Sequence, residues 1–145
     1  MKWNGPDDVR PLSQRGRQQA ERLGTLLAAR GIRPDVIVTS PLVRAAQTAE
    51  IVAAALGMTA LVDQRLAEPL SLSAVERIIR DAGGREPMLV GHDPDFSALV
   101  TDLCGGVDLA MRKGTLATLD VDLPLASGDG HLRWLLPPEL LADAR

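Results

Sequence analysis

The run Val36-Ile37-Val38 most constrains what this chain can fold into. Three consecutive β-branched residues without a polar break suit a strand covered on both faces, as in a parallel sheet. On either side the periodicity changes to that of helices. Upstream, Ala20, Leu23 and Leu27 form a 3.6-period stripe over residues 14–30, with Ser13 placed to cap the helix and Gly31 to stop it. Downstream, Leu42, Ala45, Ala49, Val52 and Leu56 repeat at three and four after Ser40-Pro41, and Gly57 stands just beyond. The same alternation continues. A short strand is expected at 59–62, an irregular stretch at 63–70, and a helix at 74–82 opened by a Ser73–Glu76 capping box. A strand at 88–90 ends in Gly91-His92. Asp93-Pro94 then opens a helix with Phe96, Leu99, Val100 and Leu103 inside and Gly105-Gly106 at its end. The last third changes character: 116–121 and 132–136 read as an antiparallel hairpin joined across Gly128-Asp129-Gly130. Residues 1–12 are irregular. The expected fold is α/β, a three-layer α/β/α sandwich around a mixed, mostly parallel sheet in a single domain over 1–145.

Composition bounds the function. At 145 residues with 46% hydrophobic and 24% charged content, the chain suits one soluble globular domain, and no run of about 18 apolar residues is present to cross a membrane. A net charge of -3 gives no broad attraction to nucleic acid, although one local arginine cluster can still hold a phosphate. Cys104 is alone, which excludes an internal disulfide, and residues 1–20 carry no secretory apolar core, so a cytoplasmic location is expected. With only Trp3, Phe96 and Trp134 as aromatics there is no stacking platform for bases. One cysteine and two distant histidines make no metal-chelating pattern, and the glycines fit neither a phosphate loop nor a dinucleotide fingerprint, so no metal and no cofactor is expected.

Two segments carry chemistry: Thr39-Ser40-Pro41-Leu42-Val43-Arg44-Ala45-Ala46-Gln47-Thr48-Ala49 and Val90-Gly91-His92-Asp93-Pro94. Both lie at strand-to-helix junctions, where open α/β sheets bind ligands. Arg44 falls in the first turn of its helix, where free N–H groups and the dipole favour an anion that the guanidinium fork can also grip. Its alternative is a solvated helix-start arginine. His92, after a buried strand, can donate a proton or bind transferring oxygens, or be a loop histidine bonded to backbone. Arg10 can swing into the same site or remain a surface arginine. Ser40 reads as an N-cap, with no base nearby in sequence to activate it as a nucleophile. Glu68, in the loop before the third helix, is the best carboxylic-acid candidate, though a solvated glutamate fits it better. Cys104 and His131 read as structural.

In these segments the chain resembles the histidine phosphatase superfamily, in its small bacterial phosphohistidine phosphatase branch. The match runs from Asp8-Val9-Arg10-Pro11-Leu12-Ser13 with Gly16, through the Arg44 and His92 segments, to Lys113-Gly114 and residues 132–141. The resemblance implies a phosphoglycerate mutase-like fold and a metal-free, cofactor-free hydrolase acting on phosphohistidine of a protein through a covalent phosphohistidine intermediate. It places Arg10, Arg44 and His92 around the phosphoryl group and gives Glu68 a loose match to the carboxylate acid of mutase-like relatives. The family's nucleophile lies in an Arg-His motif after the first strand, and these 145 residues contain no such motif. The first residues look like the loop that follows it, as if the domain were truncated at its N-terminus. The natural chain is then longer, or this form survives through marginal stability, rearranged strand pairing or self-association. As it stands the chain is expected to be inactive. A generic phosphomonoesterase acting on a small phosphorylated substrate, and a non-catalytic phosphate- or phosphoprotein-binding module, are the alternative readings; nucleic acid and membrane are not expected partners.

Overall fold

A computed structural model describes residues 4–109 and 111–141. Residues 1–3 of the irregular lead lie outside that range. A short 3-10 turn at Asp7–Val9 precedes helix α1, Gln14–Ala29. Ser13 caps α1 as its position suggested, its hydroxyl accepting the Gly16 N–H at 3.1 Å. Strand β1 is Val36–Thr39, followed by helix α2, Val43–Ala55, and the two-residue strand β2, Leu61–Val62. Helix α3 spans Leu72–Ala82, β3 Pro87–Val90 and α4 Asp95–Leu103. Strands β4, Leu116–Asp120, and β5, His131–Leu136, form the antiparallel hairpin, with a bulge between Thr118 and Leu119.

Local chemistry moves several boundaries. Asp35, one residue ahead of β1, accepts the N–H groups of Arg85 and Glu86 through its carboxylate, fastening the entry of β1 to that of β3. Those bonds hold the Asp35 carboxyl below its ordinary pKa. Helix α3 begins two residues earlier than expected, because Ser71, not Ser73, caps it by accepting the Ala74 N–H. The Ser73–Glu76 box therefore does not form, and Glu76 instead accepts the Leu125 N–H and the Arg80 Nε–H. Ser40 is not the cap of α2 either. The N-cap position is Leu42, and the Ser40 hydroxyl is used elsewhere.

The strands are hydrogen-bonded as two sheets. β2, β1 and β3 lie in that order and are parallel, while among the described residues β4 and β5 pair only with each other. The main core fills with Leu23 and Leu27 of α1, Ile37 of β1, Ala49, Val52 and Ala53 of α2, and Leu56 and Leu141; Met88, Val90, Leu116 and Leu136 pack on its margin. Val38, Leu66 and Ile78 fill the opposite face beneath α3. The layered arrangement follows, with α1 and α2 on one face and α3 on the other. Burial is uneven across the sheet. β1 is buried from Ile37 onward, whereas β3, equally apolar, is only half-buried throughout, and β5 is exposed along most of its length. β3 is an edge strand whose outer backbone groups find no strand partner among the described residues.

Candidate active site

The parallel register sets the site. Thr39 pairs with Val90, so the carboxyl ends of β1 and β3 finish side by side, and the Ser40 N–H extends the ladder by donating to the Val90 carbonyl at 2.9 Å. Two residues beyond Val90, His92 folds back over that end. Its Nε2 lies 2.7 Å from the Ser40 Oγ. The bend needs Gly91: a Cβ there would stand 2.6 Å from the Phe96 ring, which packs under the turn from the start of α4. Asp93 closes the turn by accepting the Ser97 N–H and hydroxyl.

Thr39 and Ser40 are the buried polar pair of the sheet edge, at 1% and 0% exposure. Both hydroxyls are satisfied, Thr39 donating to the Ser40 carbonyl and Ser40 accepting the Leu42 N–H at 3.2 Å. The pairing of Ser40 with His92 is the arrangement that separation along the chain concealed. It does not make Ser40 a nucleophile, because a hydroxyl with no exposed surface cannot reach a substrate.

Arg44 stands in the first turn of α2, its side chain 28% exposed. Nη1 donates to the Asp7 carbonyl at 2.9 Å and lies 3.1 Å from the Asp7 carboxylate. The other guanidinium nitrogens have no protein partner among the described residues, so part of the fork stays open to an anion. Arg10 reaches the same carboxylate at 4.0 Å and is more exposed. One turn along α2, the Gln47 Oε1 accepts the Leu12 N–H at 2.7 Å. Arg44 and Gln47 together thus fasten residues 7–12, and Arg10 with them, onto the start of α2. Asp7 and Gln47 carry no signal in the sequence for these roles; the only hint is the three-residue spacing of Asp7 and Arg10.

Burial holds the His92 pKa below its usual value, and the Arg44 charge adds to that effect, while Asp7 and Asp95 pull weakly the other way. The ring is therefore neutral near pH 7. It can donate one N–H to an oxygen or accept a proton through its second nitrogen. A neutral donor beside an open guanidinium at a helix start is suited to holding a phosphoryl group and stabilising charge on its oxygens.

Glu68 is not drawn into this cluster: it follows the 3-10 turn Gln64–Ala67, exposed, with no bond to Arg44, Ser40 or His92 among the described residues. His131 lies at the start of β5, and Cys104 is half-buried at the end of α4. No helix among the described residues is long and apolar enough to cross a membrane.

A parallel sheet flanked by helices, with an arginine and a histidine at its carboxyl edge, defines an α/β domain of the kind that places its ligand site at that edge. Residues 1–70 match the model of the histidine phosphatase superfamily (branch 1). The chain is 25% identical to the phosphohistidine phosphatase SixA of Escherichia coli over 138 residues, 91% of this chain and 84% of that protein. It is 43% identical over 95 residues to an uncharacterized protein of Picosynechococcus, which covers 62% of this chain and 57% of that protein. The structure of the protein histidine phosphatase SixA complexed with tungstate superposes with a TM-score of 0.80 at 25% identity, covering 95% of this chain and 90% of the other. The chain belongs to the histidine phosphatase superfamily, in its SixA-like branch. It has the phosphoglycerate mutase-like architecture, without the N-terminal strand among the described residues.

Proposed function

We propose that this domain, completed by a strand ending in an Arg-His pair, is a phosphohistidine phosphatase, and that residues 1–145 alone bind a phosphoryl group without hydrolysing it. The observation that carries the proposal is the convergence of His92, Ser40 and Arg44 on the shared carboxyl edge of β1 and β3 in a SixA-like domain. Hydrolysis through a covalent intermediate needs an imidazole that attacks phosphorus as the substrate's P–N bond breaks, followed by water that releases phosphate and restores the imidazole. His92 is suited to assist the departing group and the oxygens, not to attack, since donor and nucleophile stand on different sides of the transferring phosphorus. His131, the other histidine of the chain, lies on the hairpin, away from the cluster.

The half-buried β3 gives the added strand a place to pair, and the incomplete burial of β3 and β5 gives it apolar surface to cover. Phosphohistidine on a protein is the substrate class, and Arg10 joins Arg44 and His92 as an outer phosphate contact. Glu68 has no part in the reaction on this reading. The decisive experiment compares the chain as it stands with a version extended by an apolar strand and an Arg-His pair, both incubated with a phosphohistidine peptide. The extended protein should release phosphate and trap an acid-labile phosphoenzyme on the added histidine; the shorter one should do neither. An extended, folded protein without turnover refutes the proposal, as does a stoichiometric adduct on His92. The reading as a phosphate- or phosphoprotein-binding module is favoured by one feature, the open part of the Arg44 fork, and phosphopeptide titration of the 145-residue chain tests it.

A further inference from the structure

The Ser40 hydroxyl sits where its hydrogen bonds can be counted. A hydroxyl has one hydrogen and two lone pairs. One lone pair receives the Leu42 N–H at 3.2 Å, and an amide N–H cannot accept in return. Ser40 has no exposed surface, so its hydrogen must find an acceptor inside the protein. The neighbouring Thr39 hydroxyl already points to the Ser40 carbonyl. The remaining partner of Oγ among the described residues is His92 Nε2 at 2.7 Å. If Nε2 carried a hydrogen, two donors would aim at Oγ and the serine hydrogen would be buried without an acceptor, the costly arrangement for a polar group.

We propose that Ser40 is a positioning residue for His92: its buried hydroxyl donates to Nε2 and fixes the neutral imidazole as the Nδ1–H tautomer, so that Nδ1–H is the donor offered to an anion held by Arg44. The functional half of this assignment rests on the phosphatase reading above; the tautomer does not. The same count disfavours the doubly protonated ring, in which both nitrogens donate. Arg44, Asp7 and Asp95 are the charged groups that act on the ring, and of these the Arg44 charge and burial reinforce the neutral form. His92 sits on the loop between β3 and α4, while Ser40 is the residue that directly follows β1. The tautomer is thus set by the strand that also leads into the Arg44 helix, which links donor and clamp to one element.

The test is imidazole nitrogen NMR on the folded 145-residue protein near pH 7, with His131→Gln used to assign the two histidines. His92 should show a protonated Nδ1 and an unprotonated Nε2. Ser40→Ala should lose the preference, bringing the two tautomers to within a few-fold of each other, while Ser40→Thr, which keeps the hydroxyl, should restore it. Inorganic phosphate should perturb Nδ1 more than Nε2, and Ser40→Ala should weaken phosphate about two- to tenfold, the worth of one net hydrogen bond. A wild-type ring protonated on Nε2 overturns the assignment without recourse to any variant, and so does an unchanged tautomer in Ser40→Ala. A wild-type Nδ1–H ring that phosphate perturbs only at Nε2 overturns the functional half. Failure of phosphate to bind in an Arg44-dependent way counts against the phosphatase reading and leaves the tautomer result standing.

Discussion

Gly24→Ala isolates the contact that places the Arg44 helix on the domain. Gly24 lies buried in α1 where it crosses α2, and a Cβ added there would stand 2.7 Å from the Ala55 Cβ and 3.4 Å from the Val52 Cα. Carbon atoms rest about 3.5–4.0 Å apart, so the helices must separate by roughly 1 Å. Neither Ala55 nor the backbone of Val52 can rotate away. Overpacking of this kind costs about 1–3 kcal/mol. Alanine in a helix interior returns roughly 0.5–1 kcal/mol relative to glycine. The net expectation is a loss of about 1 kcal/mol, or roughly 3 °C in Tm for a domain near this size. Because α2 also holds the loop that leads into α1 through the Leu12–Gln47 bond, phosphate affinity should fall with it. Urea unfolding followed by circular dichroism measures the change, and a double-mutant cycle with Ala55→Gly identifies its cause. Removing the Ala55 methyl should relieve the clash, giving a favourable coupling of about 1–2 kcal/mol against the sum of the single changes. A Gly24→Ala protein stabilised by its full helix-propensity gain, or a coupling near zero, would show that the helices do not meet at this distance.

Three further outcomes follow from the same structure. Arg44→Ala should abolish measurable phosphate binding by calorimetry while shifting stability by no more than about 0.5 kcal/mol, because its ion pair with Asp7 is solvated; retained affinity would remove Arg44 from the site. The lowered His92 pKa predicts a pH effect on stability: the neutral ring's contribution is fully present above the ordinary value of 6.5 and is lost as pH falls through the folded value, where the unfolded chain binds more protons. Urea midpoints should therefore drop below about pH 6.5, before the lowered carboxyls of Asp35, Asp63 and Glu76 take effect at lower pH, and His92→Gln should flatten that first fall. Leu27→Ala, at a position only 1% exposed between α1 and the sheet, should cost about 2–5 kcal/mol in the same urea assay, and a loss below 1 kcal/mol would place the core elsewhere.

Information written along the chain is local. Helical spacing in Ala20, Leu23 and Leu27 and the unbroken Val36-Ile37-Val38 announce α1 and β1, because side-chain period and β-branching act over a few residues. Arg44 and His92 were legible as candidates for the same reason, each standing at a strand-to-helix junction that its own neighbours define. Caps are less legible: Ser40 and Ser73 have the right chemistry, but a hydroxyl goes to whichever partner the fold brings within reach, and it is Ser71 that meets a free N–H of α3. Tertiary structure alone decided what the site residues touch. The β1–β3 register joined Ser40 to His92 across 52 positions, and the docking of the N-terminal loop on α2 gave Asp7 to Arg44 across 37. It also divided the strands into two sheets and left β3 half-covered, since pairing depends on which edges meet and not on the apolar content of a strand. Periodicity is written along the chain, whereas register and hydrogen-bond partnership exist only between segments that packing has brought together.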